Sequence, residues 1–432
     1  MPLSADPGAD PGAEPGRDFT AEQIAAGKAF HAALRAWSLA AVGVRGCLTA
    51  LLGLTPLGAR LVEGAGRVLG GGWVAQVVGG VLALSVLATL VGLPLRARAE
   101  SVLRSWGVST RSWAGWGRDV VKGWGLSTGL LAAAALAFFA LVRADPGGWW
   151  VTAGVGAAGL VALLSLVVPV LVEPVFARFT PLPDGPLREE LAELAAAAGV
   201  RVRQSLVADA SRRTTSLNAY VSGLGATRRI VVFDTLLASA PRRQVRLVVA
   251  HELGHARRRD VARLTLLGML AAAAAMPALA VLGAWRGLFV ATGSAGLGDP
   301  RALPLLLALA GLAAVLAQPG QMLLSRRIEA RADRDALDLT GDADGFAQMQ
   351  RSLALANRAD VDPPRWVRVW FGSHPSALER IVAARGWARE HGVAEPEPMA
   401  GMVPADAAEA ADAPEAADAA EAPPPPEEAA AT

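Results

Sequence analysis

Six apolar blocks, each about 20 residues long, constrain this chain more than any other feature. They occupy residues 37–54, 73–95, 126–142, 149–172, 264–285 and 302–324. A helix of that length crosses the hydrocarbon layer of a bilayer, and it satisfies its own backbone there. Hydrophobic residues make up 53% of the sequence, and their clustering into blocks separates it from a soluble enzyme, which scatters them in short periods. Trp73, Trp149, Trp150 and Trp285 stand at block ends, where interfacial aromatics belong. The first block contains Arg45, which a tilted helix accommodates by holding the guanidinium near one interface.

Arginines set the expected topology. The segment RARAESVLRSWGVSTRSWAGWGRDVVK after the second block is strongly basic, as are the stretch between the fourth and fifth blocks and the region after the sixth. The loops 55–72, 143–148 and 286–301 are shorter or less basic. By the positive-inside rule both termini face the cytoplasm, and six spans return the chain to that side. Basic charge beside spans is topological, so it gives no case for nucleic-acid binding. The partners expected are the lipid bilayer and a peptide or membrane-protein substrate; nothing in the sequence sets an oligomeric state. The N-terminus, MPLSADPGADPGAEPGRD, lacks the basic start and apolar core of a cleaved leader, so the first span is expected to act as its own insertion signal.

Composition divides the chain into six segments. Residues 1–30 and 393–432 open and close it with low-complexity acidic, Ala, Gly and Pro runs that read as disordered. Residues 31–172 hold four spans and the basic linker, and residues 264–324 hold two more. Residues 173–263 and 325–392 are polar enough to form a catalytic body from two halves. In the first half, PLREELAELAAAAGV repeats leucine at helical spacing. VRQSLVAD reads as a strand, and NAYVSG and RRIVVFD read as a hairpin around LGAT. The Gln318-Pro319-Gly320-Gln321 stretch reads as a break in the sixth span.

VVAHELGHARRRD, at residues 248–260, carries two of the five histidines. On a helix His251 and His255 lie one turn apart on one face, which lets both imidazoles reach a single Zn²⁺, with Glu252 beside them to hold a water. The lone cysteine, Cys47, excludes a cysteine-based zinc site. A catalytic zinc needs a third protein ligand, and a third histidine after a glycine is not available, because Arg258 and Val261 occupy those positions. Glu329, in RRIEARAD, is the best remaining donor. Asp333, one turn later on the same face, could accept the outer N–H of a ligand histidine. His374, in FGSHPSALERI, could donate to an oxyanion.

Taken in order, SLNAYVSGLGATRRIVVFDTLL, HELGH, EARAD and SHPSALERI resemble the CAAX prenyl protease 1 (Ste24-type) group of the M48 zinc metallopeptidases. VEPVFARFTPLPDGPLREEL and the basic linker add to that resemblance, which covers roughly residues 70 to 390. It implies a mainly α, polytopic membrane protein with about six spans and a zincin-type α+β catalytic body. One Zn²⁺ would be held by His251, His255 and Glu329, a gluzincin-like set, with Glu252 as general base and Asp333 supporting a ligand histidine. His374 would contact substrate and oxyanion, and Asn218 and Ala219 would lie on an edge strand that pairs with substrate main chain. The implied activity is a membrane zinc metalloendopeptidase acting on membrane-associated or CAAX-type peptides; a quality-control protease of the HtpX kind is the nearest alternative. The chain departs from the group in showing six apolar blocks where well-known members have seven spans, and in its two low-complexity tails.

Overall fold

The computed structural model describes residues 14–223 and 225–401. Six of its helices are long and apolar enough to cross a membrane. They are α2 (Ala21–Leu54), α4 (Gly72–Ser105), α5 (Trp113–Ala144), α6 (Trp149–Val167, continued by a π-turn to Val172), α11 (Asp260–Gly283) and α13 (Leu303–Thr340). Their apolar residues point outward: Leu90, Leu163, Leu270 and Leu316 are all exposed, as suits helices solvated by lipid rather than water. Close packing comes from small residues and spare polar groups. The α6 backbone at Gly154 approaches Ala273 of α11 (Asp260–Gly283), and Ser165 Oγ hydrogen-bonds Thr265 Oγ1 at 2.8 Å.

The loop expected at 55–72 is largely a helix, α3 (Pro56–Val68). Its Val62 is fully buried against Val77 and Val81 of α4. Hydropathy misses α3 because only one face is apolar, while Arg60, Glu63 and Arg67 interrupt it. Three consecutive glycines, Gly70 to Gly72, take positive φ and reverse the chain between α3 and α4. The break expected at Pro319 does not occur. Helix α13 (Leu303–Thr340) runs through it for 38 residues, or ~57 Å, carrying one element from the last span into the catalytic body.

The body begins after a short α7 (Glu173–Phe176) with β1 (Phe179–Pro181), α8 (Pro186–Ala197) and β2 (Gln204–Ala208), followed by β3 (Ala219–Ser222), β4 (Arg229–Phe233), α9 (Asp234–Ser239) and α10 (Arg242–Arg258). The sheet order is β1-β2-β4-β3. β2 pairs parallel with β4, and the outer pairs are antiparallel. The predicted hairpin is therefore β3–β4, with Ala219 opposite Val232 and Ser222 opposite Arg229, and β3 is left at the edge. Beneath the sheet, Val245, Leu247, Val249 and Leu253 of α10 pack with Leu191, Leu194, Ile230, Val232 and Phe346. After α13 come α14 (Ala343–Ala356), α15 (Arg365–Phe371) and α16 (Ala377–His391); a short α12 (Arg286–Ala291) lies between α11 and α13.

Both segments expected to be disordered contain folded residues. Residues 1–13 and 402–432 lie outside the described residues, but Pro15–Asp18 form a short helix, α1. Thr20 and Gln23 then form a capping box that starts α2 at Ala21. Asp18 is fully buried and receives both Arg385 Nη atoms, at 2.8 and 2.5 Å, and Arg385 also donates to the carbonyls of Pro396 and Glu397. Phe19 packs with Ile381 and Met399, and the Met399 amide donates to the Arg17 carbonyl. Acidic and Pro-rich composition concealed this clasp because its partners lie 367 residues apart.

Candidate metal centre

Helix α10 presents the histidines because its other face is committed to the core: Val245, Val249 and Leu253 are buried beneath the sheet. Gly254 sets how closely α10 meets α13. A Cβ there would lie 3.2 Å from the Ala332 carbonyl oxygen and from the Asp335 Cβ, so a larger residue would push the helices apart. Arg258 clamps the same crossing through a two-point ion pair with Asp335. The helix then ends at Arg259, which holds the left-handed φ of 56°. That elbow turns Asp260 back toward the site.

Three donors converge where α10 crosses α13. His251 Nε2 and His255 Nε2 are 3.3 Å apart; Glu329 Oε2 is 3.2 Å from the first and Glu329 Oε1 is 3.5 Å from the second. One donor atom from each residue fits within 4.8 Å of the others. The outer nitrogens are already taken, with His251 Nδ1 2.9 Å from Asp333 Oδ1 and His255 Nδ1 3.1 Å from Asp260 Oδ2. This fixes each ring so that Nε2 faces the cluster. Glu329 Oε2 is buried and, among the described residues, is addressed with hydrogen-bond geometry by no protein donor, although His374 Nδ1 lies 2.8 Å away. Two imidazole nitrogens and a carboxylate facing one another this closely suit a divalent cation of the zinc kind. Burial pushes the His251 imidazole down, but the neighbouring Asp333 and Glu329 carboxylates outweigh it and raise the ring to about 9. Burial also pushes the Glu252 carboxyl up, against the pull of His251 and His255.

The other expected residues fall around this cluster. Asp333 is sandwiched between His251 and Arg380, which holds it through Nε at 2.9 Å and through Nη2. Asn218 and His374 line a cleft of about 330 Å³ together with His251 and Glu252. Ala219 does not: its side chain is buried in the core, so it can contribute only backbone. Sequence reasoning missed Asp260, Arg380 and Asn357. Asn357 is bonded to both backbone groups of Leu217, accepting at 2.9 Å and donating at 3.2 Å, and so fixes the entry to β3. Of these, only Asp260 had a local signal, five residues after His255 in HARRRD.

Asp260→Asn is expected to weaken zinc affinity about 10–100-fold while leaving the fold intact, because it loosens the grip on His255. Competition with a fluorescent chelator measures this, and unchanged affinity would leave Asp260 without a part in the site.

Strand β3 is also tied to the membrane helices. The Tyr220 hydroxyl and the Ser222 hydroxyl lie 3.4 and 3.3 Å from the Glu173 carboxylate, and Arg229 pairs with the same group at 3.2 Å. Burial, and then the negative Glu173, push the Tyr220 phenol up to about 12. Since Tyr220 is the only tyrosine, phenolate absorbance reads it alone, and the expected midpoint is about 12. The unfolded phenol ionises near its ordinary value of 10.0. This group's contribution to stability is therefore complete below that pH and is lost as pH rises through about 12. A midpoint near the ordinary value in the folded protein would refute the contact.

A histidine pair and a carboxylate gathered from two helices, at the end of a polytopic bundle, define the class: a membrane metallopeptidase. Residues 181–388 match peptidase family M48, and residues 29–178 match the CAAX prenyl protease N-terminal family of five membrane helices. An uncharacterised metalloprotease of Bacillus subtilis, YhfN, is 31% identical over 312 residues, which is 71% of this chain and 72% of the relative. The chain belongs to peptidase family M48. CAAX prenyl protease 1 of Saccharomyces cerevisiae is 31% identical over 191 residues, covering only 43% of this chain and 42% of that protein. The crystal structure of S. mikatae Ste24p shares the fold, with a TM-score of 0.75 at 23% identity over 84% of this chain and 89% of that one. Within residues 29–178, α2, α4, α5 and α6 are long and apolar enough to cross a membrane, one fewer than the five helices that the family's description names.

Proposed function

We propose that this protein is a zinc metalloendopeptidase that cleaves membrane-associated or CAAX-type peptides at the cytoplasmic face. The convergence of His251, His255 and Glu329 beside a cleft lined by Glu252 carries this reading. His251, His255 and Glu329 would hold one Zn²⁺. When bound, the ion polarises the scissile carbonyl and lowers the pKa of water toward neutrality. Glu252 takes the proton from the attacking water and passes it to the leaving amine. His374, exposed at the cleft mouth beside Glu329, donates to the developing oxyanion. Asn218 and the backbone at Ala219 present the free edge of β3 to an extended peptide, which adds to the sheet as a further strand. The arginine-rich segments on the catalytic side support the cytoplasmic orientation. The CAAX names of several relatives support the substrate class.

The test is metal analysis joined to peptide turnover in purified protein. One zinc per chain is expected, with cleavage abolished by a chelator and restored by zinc. Prenylated and unprenylated forms of one C-terminal peptide then test the substrate class. Zinc-free protein with undiminished turnover would overturn the mechanism, and equal turnover of both forms would remove the prenyl assignment.

A further inference from the structure

Helix α15 reads RWVRVWF, and its polarity is inverted for a helix on a water-soluble body. Trp366, Val369 and Trp370 fall at i, i+3 and i+4, on one side. They are 47%, 36% and 37% exposed, and Phe371 beside them is 44% exposed. The charge among them turns inward, where Arg368 pairs with Glu379 of α16. A helix bordering water carries its polar face outward, so the outer face of α15 is made for apolar surroundings. The carbonyls at its end agree. Helix-end carbonyls are ordinarily left to water. Here Arg368 and Gly372 accept from Arg326 Nη1 at 2.6 and 2.7 Å, and Trp370 accepts from Gln318 Nε2 at 2.7 Å. Protein donors for every such group are what a backbone needs where water is scarce.

The neighbouring spans give the depth. Gln318 lies six residues inside the last apolar block, 302–324, or ~9 Å along the helix. Val367 and Phe371 share a groove of about 240 Å³ with Leu34, Leu39 and Val42 of α2, and the last two belong to the first apolar block. Both spans thus place α15 at the same end of the bundle, within the apolar layer. Exposed residues of those spans flank it, Leu316 and Leu323 on α13 and Val42 on α2. The Arg35 guanidinium lies 6.0 Å from the Trp366 ring, and Arg365 is exposed at the head of the helix. Tryptophan and arginine together mark the membrane–water boundary. We infer that α15 dips into the leaflet on the catalytic side and rests Trp366, Val369, Trp370 and Phe371 against phospholipid acyl chains. The catalytic body is seated in the interface, not held above it. Only Gly372 and Ser373 separate Phe371 from His374, which lines the cleft, so this contact brings the cleft mouth to the level of the headgroups.

The experiment places a nitroxide on the full-length protein in vesicles of phosphatidylcholine and phosphatidylglycerol. Cys47 is the only cysteine, so a Cys47→Ser background carries one label at a time, through Trp366→Cys, Val369→Cys or Trp370→Cys. Collisions with oxygen, which concentrates in the hydrocarbon, are compared with collisions with a water-soluble nickel chelate. Leu316→Cys supplies the lipid-facing reference. Asp344→Cys supplies the aqueous one, since Asp344 is exposed and pairs with Arg243 at the end of α10 away from the spans. Oxygen is expected to exceed nickel several-fold at 366, 369 and 370, as at 316, with the order reversed at 344. Val369→Cys is the mildest change and decides the matter if the tryptophan variants do not fold. Nickel exceeding oxygen at these positions would overturn the inference. So would a label shielded from both reagents, which would mean that a second copy or another protein covers α15. The readout is collision frequency alone, so it stands or falls apart from the hydrolase reading.

Discussion

Changing Glu252 to Gln is expected to lower peptide hydrolysis by about 10²–10⁴-fold, the usual contribution of a positioned acid–base group, while one zinc per chain stays bound. The two effects separate because Glu252 lies outside the converging trio of His251, His255 and Glu329. Glutamine keeps the shape and can still hydrogen-bond a water, but it cannot accept a proton. Burial pushes the Glu252 carboxyl up, against the pull of His251 and His255. His255→Ala should behave differently, losing metal and turnover together. Equal turnover by the Glu252→Gln variant and the wild type would remove Glu252 from the mechanism.

The second large effect lies far from the metal. Asp18→Ala should cost about 3–5 kcal/mol, because it leaves the guanidinium of Arg385 without its counter-charge in a fully buried setting. In a catalytic body of this size that corresponds to a melting temperature lower by on the order of 10 °C. The control is Asp18→Ala combined with Arg385→Met, which removes both charges. Apolar replacement of a buried pair is often close to neutral, so the double variant should recover most of the loss. A single variant that melts with the wild type would show the clasp to be dispensable.

The spans were legible in the sequence because a bilayer demands long uninterrupted apolar blocks. Hydropathy did not reveal the connecting helix α3, which is short and has one polar face, and whose burial depends on a glycine-lined approach to α4 at Gly66 and Gly79. The trio was legible for a related reason: one turn of helix fixes the relation of His251 to His255, and the missing third donor pointed to Glu329. What sequence could not supply were contacts made only by the fold. Asp260 reaches His255 because Arg259 turns the chain sharply. Asn357 holds Leu217 from 140 residues away, and Asp18 finds Arg385 from the opposite end of the folded region. Composition argued against order at Asp18, and one buried ion pair overrode it.

In chain order His251 and His255 come first, Glu329 last, and the spans of α11 and α13 lie between them. The metal site therefore closes only when α13 folds back against α10. Before then the nascent chain has two histidines, one base and no complete cage.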